Sequence, residues 1–346
     1  MYAITYKDSK TPWASICIPT YRRQDLLRET LNNLTQQTMP DFEVIISDND
    51  PTGSSQSVVK EFKDPRFKYF RNQENVGMVK NTNLALIRAE GEFVVTLPDD
   101  DTLYPEMLAT LQQLVEQQPG FGAYFGAMDL NVMTPEVAWV QGTPLGKTSF
   151  VAPNFSLGAV RIYTSKEFPF AYLSYQIFPA VFWAAGIVRR SIALEVGGMP
   201  DYGSTLMFDH AYLLRVGAKS GLASINLPLC SQNMHGMNAT YGDFKQIISC
   251  VQGFYQYLSF HLSKRDDWPQ LRRALEKYLG NFIVGYSMTI RRYNKLYGAQ
   301  ESPNLLLLRL FRPPLTRPIF WKYLLAAQAP MLFPYYQRFK QQLMKN

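Results

Sequence analysis

Short apolar segments alternate with amphipathic segments over the first hundred residues of the chain. The apolar segments are rich in β-branched residues, which is typical of buried strands, whereas Leu26, Leu27, Leu31 and Leu34 recur at helical spacing. Strands separated by helices of this length predict right-handed crossovers and an α/β fold, with a mainly parallel sheet covered by helices on both faces. The predicted strands are 14–19, 42–46, 67–70 and 93–97, and the predicted helices are 24–37, 55–62 and 78–89.

The same pattern continues more irregularly downstream and then becomes entirely helical. A helix is predicted from about Pro105, and further strands and helices follow until about residue 241. The pattern therefore predicts an α/β domain over residues 1–240 and a C-terminal helical region, rich in basic and aromatic residues, over 241–346. The later predicted elements are strands 182–190 and 222–229, a short helix from Ser191, helices 242–261 and 271–297, and an amphipathic segment 319–343.

Polar clusters follow three of the predicted strands at their carboxyl ends. In an open α/β sheet, ligands bind beyond these strand ends. Three adjacent carboxylates repel one another unless a cation neutralises them, so the third cluster favours a divalent metal. The alternative is an Asp-rich turn in which Asp101 caps the helix that begins near Pro105. The clusters are Thr20-Tyr21-Arg22, Asp48-Asn49-Asp50 and Asp99-Asp100-Asp101.

Two common nucleotide-binding motifs are missing from the sequence. No Gly-x-Gly-x-x-Gly follows the first strand, and no Gly-x-x-x-x-Gly-Lys-Ser/Thr occurs anywhere. Dinucleotide dehydrogenases and P-loop NTPases are therefore disfavoured. A nucleotidyltransferase also combines an α/β sheet with acidic metal ligands, but its Gly- and Arg-rich first loop is absent as well. A bound diphosphate would have to be neutralised by metal and side chains.

Composition indicates a folded protein in a reducing compartment. Hydrophobic residues make up 47% of the chain, which argues against disorder. Three scattered cysteines form neither a disulfide framework nor a zinc-binding pattern. Residues 1–10 contain no apolar signal segment, and the uncharged stretch 170–188 is interrupted by polar residues, proline and glycine, which favours a buried loop and strand over a membrane span. We therefore expect a cytoplasmic protein.

The net charge of +7 is concentrated at the C-terminal end. Residues 264–346 contain fifteen Lys or Arg against four Asp or Glu, whereas the preceding residues contain 20 against 24. Basic and aromatic residues at helical spacing predict either a subdomain that packs on the body or forms a homodimer, or a module that binds the anionic inner face of the cytoplasmic membrane. No recognition motif supports nucleic acid as a partner.

Several segments together resemble inverting glycosyltransferases of family 2, which have the GT-A fold. The segments 15–23, 36–49, 75–77, 89–93 and 99–105 occur in the order and spacing of that family, and the resemblance covers residues 13–240. It implies transfer from a UDP-, dTDP- or GDP-linked sugar to a glycan or lipid-linked glycan, with Mn²⁺ or Mg²⁺, in the synthesis of a bacterial surface polysaccharide. The donor half would be about 13–130 and the acceptor half about 131–240.

The resemblance also implies roles for individual residues of the donor half. Tyr21 would stack on the base, and Asp48 would accept from the ring N–H of the base, although the family's usual Asp-Asp pair reads Asp48-Asn49 here. Asp99 and Asp101 would form the Asp-x-Asp element that holds the metal, with His235 as a candidate third ligand. His235 is alternatively a solvated loop residue. The implied nucleotide-binding set is Pro19, Thr20, Tyr21, Arg22, Asp48, Asn49, Asn75, Lys80, Asp99 and Asp100.

In the acceptor half, the resemblance implies a glycine loop and a general base. Gly197 and Gly198 match the family's Gly-Gly loop on the acceptor side. The family's Glu-Asp element reads Phe208-Asp209, so the Glu is missing and Asp209 is the predicted base. Asp209 is alternatively a helix cap. The missing Glu also leaves open a non-catalytic nucleotide-binding or membrane-surface scaffold with the same fold.

Overall fold

The computed structural model describes residues 11–177, 182–238, 244–298 and 323, and its first part confirms the predicted alternation of strands and helices. Helix α1 ends three residues before the predicted limit, because the chain turns at Thr35, whereas strand β2 continues to Asp48. The elements are β1 (Ala14–Thr20), α1 (Gln24–Leu34), β2 (Phe42–Asp48), α2 (Gln56–Phe62), β3 (Phe67–Arg71), α3 (Met78–Arg88) and β4 (Phe93–Thr96).

Downstream of β4, two predicted strands have different limits: the strand predicted at 222–229 continues to Met234, and the strand predicted at 182–190 begins later. Residues 182–190 were expected to be a continuous strand, but Trp183–Ala185 form a 3-10 turn, because the Ala185 N–H donates to the Phe182 carbonyl, and β9 begins only at Gly186. The elements are β5 (Thr102–Leu103), α4 (Met107–Gln117), β6 (Ala123–Val132), α5 (Pro135–Gln141), β7 (Gly146–Ser149), β8 (Val160–Tyr163), α6 (Phe168–Leu173), β9 (Gly186–Arg189), α7 (Arg190–Glu195), α8 (Phe208–Ser220), β10 (Leu222–Met234), α9 (Gln246–Leu262) and α10 (Trp268–Tyr297).

The strands form one mixed sheet in the order β3-β2-β1-β4-β9-β6-β10-β5, with β7 and β8 paired at the side of β6 and β10. Strands β3, β2, β1 and β4 are parallel, β9 is antiparallel to β4 and β6, and β6 is parallel to β10. Thr20 pairs with Asp48 in register, so the polar strand ends lie at one edge of the sheet. This is the α/β architecture that the sequence predicts.

Apolar side chains cover both faces of the sheet. One cluster joins Ile16 and Ile18 to helices α1 and α4, and the other joins Phe125 to helices α6, α8, α9 and α10. The described C-terminal helices thus pack on the body of the protein. The predictions for 299–322 and 324–346 lie outside the described residues, and the division at residue 240 stays a prediction. Tyr323 is buried in the second cluster.

Within the described ranges, no helix is both long enough and apolar enough to cross a bilayer. The uncharged stretch 170–188 contains the end of α6, the 3-10 turn and most of β9.

Candidate functional site

A cleft of about 580 Å³ lies beyond the carboxyl ends of the parallel strands. One wall is polar and comes from the ends of β1, β2 and β4 and from the start of α3. The opposite wall is mainly apolar and comes from residues 182–183, the loop before α8, and α10. The lining includes Pro19, Thr20, Tyr21, Arg23, Asn49, Asn75, Met78, Asn81, Asp99, Asp100, Asp101, Phe182, Trp183, Leu206, Met207, Phe208, Asp209, His210, Asn238 and Phe282.

The three consecutive carboxylates line the polar wall. Asp99 accepts hydrogen bonds from the Thr20 hydroxyl at 2.7 Å and from the Arg23 guanidinium at 3.1 Å. Asp100 accepts from the same guanidinium at 3.0 Å. Asp101 accepts from the backbone N–H of Asn233 at 2.9 Å through Oδ1, and no described donor reaches its Oδ2. Arg23 is therefore the cation that the described residues supply to this cluster.

The cluster suits a divalent cation. Burial raises the pKa of Asp99 to about 6, although Arg23 opposes this effect, and burial with the nearby Asp100 charge raises the pKa of Asp101 well above its usual range. One guanidinium leaves three carboxylates incompletely neutralised, and among the described residues no hydrogen-bond donor contacts Asp101 Oδ2. Carboxylate oxygens are ligands that Mg²⁺ and Mn²⁺ prefer. Asp101 and Asp99 are thus the residues that could hold such an ion.

His235 lies behind Asp100 and not at the cleft surface. Its Nε2 is 3.2 Å from Asp100 Oδ2, and Asn238 donates to the same oxygen at 3.3 Å. In the described part of the chain, no three His, Cys, Asp or Glu side chains converge as a preformed metal site. The structure therefore brings His235 to the acidic cluster as a partner of Asp100, and its role as a metal ligand stays a prediction.

At the end of β2, Asn49 faces the cleft and Asp48 does not. Both oxygens of Asp48 are occupied, because they accept from the backbone N–H groups of Asp50 and Ser55 and from the Tyr69 hydroxyl. Asp48 is fully buried, so its carboxylate is not directed at a base in the cleft. This corrects the choice of Asp48 and makes Asn49 the side chain of the pair that a nucleotide would meet.

Asn49 belongs to a network of side-chain amides beneath the cleft. Its Nδ2 donates to Asn75 Oδ1 at 2.7 Å, and its Oδ1 accepts from the Val76 N–H at 3.0 Å. Asn72 donates to Asn49 and also to Asn81, at 3.2 and 2.7 Å. These contacts fix the orientation of Asn49 and Asn75 before any ligand binds.

Of three further residues predicted to bind the nucleotide, one lies at the cleft and two do not. Tyr21 is 40% exposed at the cleft, and the Arg22 guanidinium carbon lies 5.2 Å from its ring centroid, so a base would stack on the ring face that Arg22 leaves open. Arg22 has φ 56°, and its side chain turns away to pair with Asp50 at 3.3 Å. Lys80 is exposed on the outer face of α3, because the helical period directs Met78 and Asn81 into the cleft instead. Arg22 and Lys80 are not brought to the site.

The Gly197-Gly198 loop supports the acceptor wall from outside the cleft. Both glycines have positive φ, and a Cβ on Gly198 would lie 2.5 Å from Asn83 Oδ1. Asn83 in α3 binds both the N–H and the carbonyl of Met199 at 2.8 Å. The predicted glycine loop thus ties the segment before α8 to the helix on the donor side.

Asp209 lies on the acceptor wall in the first turn of α8. The helix cap is Met207, which has φ 60°, and no side chain caps this helix, so the capping interpretation of Asp209 is not supported. No described donor lies within hydrogen-bond distance of its carboxylate, whose side chain is 18% exposed. Phe208, which replaces the family's Glu, is buried with its ring 5.5 Å from that of Trp183.

The sequence reasoning missed Arg23, His210 and Trp183. Arg23 is the last residue of the segment 15–23 that resembles the family but was not included among the site residues, and His210 directly follows the predicted base, so adjacency was a usable signal for both. The apolar wall that includes Trp183 and Phe282 had no sequence signal, because its parts are a hundred residues apart and meet only in the fold.

Comparison with known proteins supports the family resemblance. The family model described as "Glycosyl transferase family 2" matches residues 15–172. The Campylobacter jejuni GalNAc(5)-diNAcBac-PP-undecaprenol beta-1,3-glucosyltransferase is 38% identical over 118 residues, which are 33% of this chain and 38% of that protein. Abequosyltransferase RfbV of Salmonella typhimurium is 32% identical over 109 residues, which are 30% and 33% of the two chains. The chain thus spans little more than a third of these relatives.

Solved structures show the same fold over most of the chain. Staphylococcus aureus TarS 1-349 in complex with UDP-GlcNAc has a TM-score of 0.60 and 17% identity, covering 86% of this chain and 79% of that one. The mannosyltransferase PcManGT from Pyrobaculum calidifontis, in complex with GDP-Man and Mn²⁺, has a TM-score of 0.50 and 19% identity, covering 94% and 88%. Residues 15–172 of this chain thus match glycosyl transferase family 2, and the chain has the GT-A fold of these solved structures.

Proposed function

We propose that this protein is a metal-dependent, inverting glycosyltransferase that moves a sugar from a nucleotide-sugar donor to a glycan or lipid-linked glycan acceptor in the synthesis of a bacterial surface polysaccharide. One observation carries the proposal: the acidic triplet 99–101 and the carboxylate of Asp209, which no donor among the described residues contacts, line the same cleft. A sugar transfer needs both groups, one for the diphosphate and one for the acceptor hydroxyl.

The polar wall would bind the nucleotide. The exposed ring of Tyr21 offers a flat surface on which a base stacks, and Asn49 offers an amide beside it. Asn49 Oδ1 already accepts from the Val76 N–H and from Asn72, so the amide offers a base its second Nδ2 hydrogen, which can donate to a pyrimidine carbonyl. A UDP- or dTDP-linked donor fits this pair of side chains, and a GDP-linked donor is the alternative.

Asp101 and Asp99 would hold Mn²⁺ or Mg²⁺. When bound, a divalent cation would neutralise the negative charge that develops on the departing nucleoside diphosphate. This effect is worth several kcal/mol in the transition state. Arg23 contacts Asp99 and Asp100 and is the nearby cationic side chain, so it would bind either carboxylates or phosphate oxygens. The Mn²⁺ in the PcManGT complex supports the choice of ion.

Asp209 would act as the general base. Its carboxylate takes the proton of the acceptor hydroxyl while that oxygen forms a bond to the anomeric carbon, and the bond between this carbon and the diphosphate oxygen breaks on the opposite side. The electron pair leaves with the nucleoside diphosphate, and the configuration inverts. A base needs a free lone pair at the reacting hydroxyl, and no described donor occupies the lone pairs of Asp209.

The apolar wall would receive the acceptor. Trp183, Phe208 and Phe282 provide aromatic surface beside Asp209, and sugar rings present C–H faces that pack on such surfaces. The name of the Campylobacter relative specifies an undecaprenol-linked acceptor. A lipid-linked oligosaccharide is therefore the acceptor class to test first.

A donor screen with product analysis tests the proposal. UDP-, dTDP- and GDP-sugars are added with Mn²⁺ or with EDTA, and the melting temperature is recorded, because a ligand of the folded state raises it. The selected donor is then incubated with undecaprenyl-diphosphate-linked oligosaccharides, and NMR identifies the anomer formed. We expect one donor class to stabilise the protein only with metal and the product to be inverted.

Two results would contradict the proposal. Nucleotide binding with no turnover for any donor would favour the non-catalytic scaffold, for which the buried Phe208 in place of Glu is the supporting feature. A product of retained configuration would exclude a single displacement by Asp209.

We also propose, separately, that the basic C-terminal region attaches the protein to the inner face of the cytoplasmic membrane. The fifteen basic residues of 264–346 support this, although the described helices also pack on the body. Flotation with vesicles of phosphatidylglycerol is expected to recover the protein, and flotation with phosphatidylcholine is not. Equal recovery of the protein with both lipids would contradict the electrostatic attachment. Sedimentation velocity in the same buffer tests whether the protein forms a homodimer.

A further inference from the structure

His210 lines the cleft next to Asp209, and two buried tyrosines hold its ring. Its Nδ1 lies 2.7 Å from the Tyr172 hydroxyl and 2.9 Å from the Tyr278 hydroxyl. Tyr172 comes from α6 and Tyr278 from α10, so two separate elements fix the same nitrogen. Nothing in the resemblance to the family assigns a role to this residue.

The two hydroxyl groups provide hydrogen-bond donors to one nitrogen of the ring. Burial raises the pKa of Tyr172 and of Tyr278 well above the usual range, so both remain O–H donors. Each hydroxyl group carries one O–H, so either tyrosine can donate to Nδ1. A carboxylate only accepts hydrogen bonds, and Asp209 Oδ2 is the group that faces Nε2, so the neutral imidazole that pairs with all three groups carries its proton on Nε2 and accepts at Nδ1.

The Nε2 atom faces the carboxylate of Asp209. The distance from Nε2 to Oδ2 is 4.0 Å, about one ångström beyond a hydrogen bond. Contacts of this kind are often long in ligand-free enzymes and shorten when substrates bind. Among the described residues, no other donor approaches Asp209 as an alternative.

We propose that His210 is the positioning residue of the base Asp209. Its Nε2–H holds Oδ2, so that Oδ1 keeps a lone pair directed at the acceptor hydroxyl. His210 does not itself take the proton, because its Nδ1 lone pair is occupied by a tyrosine hydroxyl. This inference rests on the proposed function, since it presupposes that Asp209 is the base.

The surroundings make the imidazole a rigid support. The Tyr278 ring is stacked between Phe254 and the exposed Tyr175, with ring centroids 6.1 and 5.1 Å away. The Tyr172 ring packs against Phe168 at 5.6 Å. A positioning group must be held by its own neighbours, because a small displacement of a base lowers the rate steeply.

Two substitutions of similar size separate the two nitrogens of the ring. His210→Asn places an amide near the position of Nδ1 and removes the donor at Nε2, whereas His210→Gln places an amide near Nε2. Turnover is measured as nucleoside diphosphate released from the sugar nucleotide selected in the thermal screen. We expect His210→Asn to lower kcat about 10- to 100-fold with the donor KM unchanged, and His210→Gln to recover most of that loss.

A third variant guards against a folding defect in the first two. The double variant Tyr172→Phe, Tyr278→Phe keeps the imidazole but removes both hydroxyl groups that contact Nδ1. Nδ1 then has no tyrosine donor, and the tautomer with the proton on Nε2 loses this support. We expect kcat to fall about 3- to 10-fold with the donor KM unchanged.

The outcomes distinguish this inference from the proposed function. Full activity of His210→Asn, equal losses in the Asn and Gln variants, or a rise in donor KM would each overturn the positioning role. If Asp209→Asn is inactive and His210→Asn is fully active, only the role of His210 fails. If Asp209→Asn keeps its activity, the base assignment itself fails.

Discussion

Replacing Arg23 by Met tests the electrostatics of the acidic triplet. Arg23 contacts Asp99 Oδ1 and Asp100 Oδ2 at 3.1 and 3.0 Å and also donates to the Met237 carbonyl at 2.6 Å. Met keeps most of the side-chain length and removes the charge. The variant leaves two nearly buried carboxylates without this cation, and Asp100 retains only His235 and Asn238 as described partners.

The expected loss follows from the burial of the three groups. Removing one member of a buried ion pair costs about 3–5 kcal/mol. The Arg23 side chain is 24% exposed, so solvent screening lowers this to about 3 kcal/mol. An unfolding entropy of about 2 cal/mol/K per residue gives about 0.7 kcal/mol/K for 346 residues, so the expected fall in Tm is about 4 °C.

Thermal unfolding in EDTA and in Mn²⁺ measures this effect. In EDTA the Tm of Arg23→Met should lie about 4 °C below that of the unmodified protein, and Mn²⁺ should narrow the gap because it neutralises the same carboxylates. Arg28→Met in α1 is the control, since Arg28 pairs with Asp25 and Glu61 at the exposed surface. Equal Tm values for Arg23→Met and the unmodified protein in EDTA would refute the reasoning.

Two further predictions concern pH and the C-terminal packing. The pKa of the Asp99 carboxyl is about 6 in the folded protein and about 3.9 in an unfolded chain. The folded state therefore binds a proton on Asp99 more tightly than the unfolded state does. As this proton is lost between pH 4.5 and 7.5, the free energy of unfolding should fall by about 2 kcal/mol. Urea unfolding in EDTA measures the free energy of unfolding at each pH, and Asp99→Asn should lack this loss of about 2 kcal/mol. If the variant and the unmodified protein had identical pH profiles, the raised pKa of Asp99 would be contradicted. A Cβ on Gly280 would lie 2.2 Å from the Tyr323 ring, whereas none of the described atoms lies within 4 Å of one on Gly285 in the same helix. Gly280→Ala should therefore cost about 1–3 kcal/mol, and Gly285→Ala should stabilise by about 0.5–1 kcal/mol. A stabilising Gly280→Ala would show that Tyr323 does not pack there.

The order of strands and helices was predictable because its causes are local. Buried strands such as 42–46 are short apolar runs, and amphipathic helices such as 24–34 carry their own period. The 3-10 turn at 183–185 was not predictable, because an apolar run fits a strand and a buried turn equally well.

The candidate site was predictable only where chemistry coincides with strand ends. The acidic triplet and Tyr21 follow strands, and the cleft forms there. The choice between Asp48 and Asn49 depends on the backbone at the end of β2, which a residue pattern does not specify. His210 is tied to tyrosines that lie 38 and 68 positions away in sequence, so its role depends on tertiary packing.

Asp209→Asn gives the most direct measurement of the central claim. The amide keeps the size of the side chain and cannot accept the acceptor proton, and Asp266→Asn, at an exposed position, is the control. Release of nucleoside diphosphate and donor affinity are measured on both variants with Mn²⁺. We expect Asp209→Asn to lower kcat at least about 100-fold and to leave donor affinity unchanged, whereas Asp266→Asn should change neither. Undiminished turnover in Asp209→Asn would contradict the proposed mechanism.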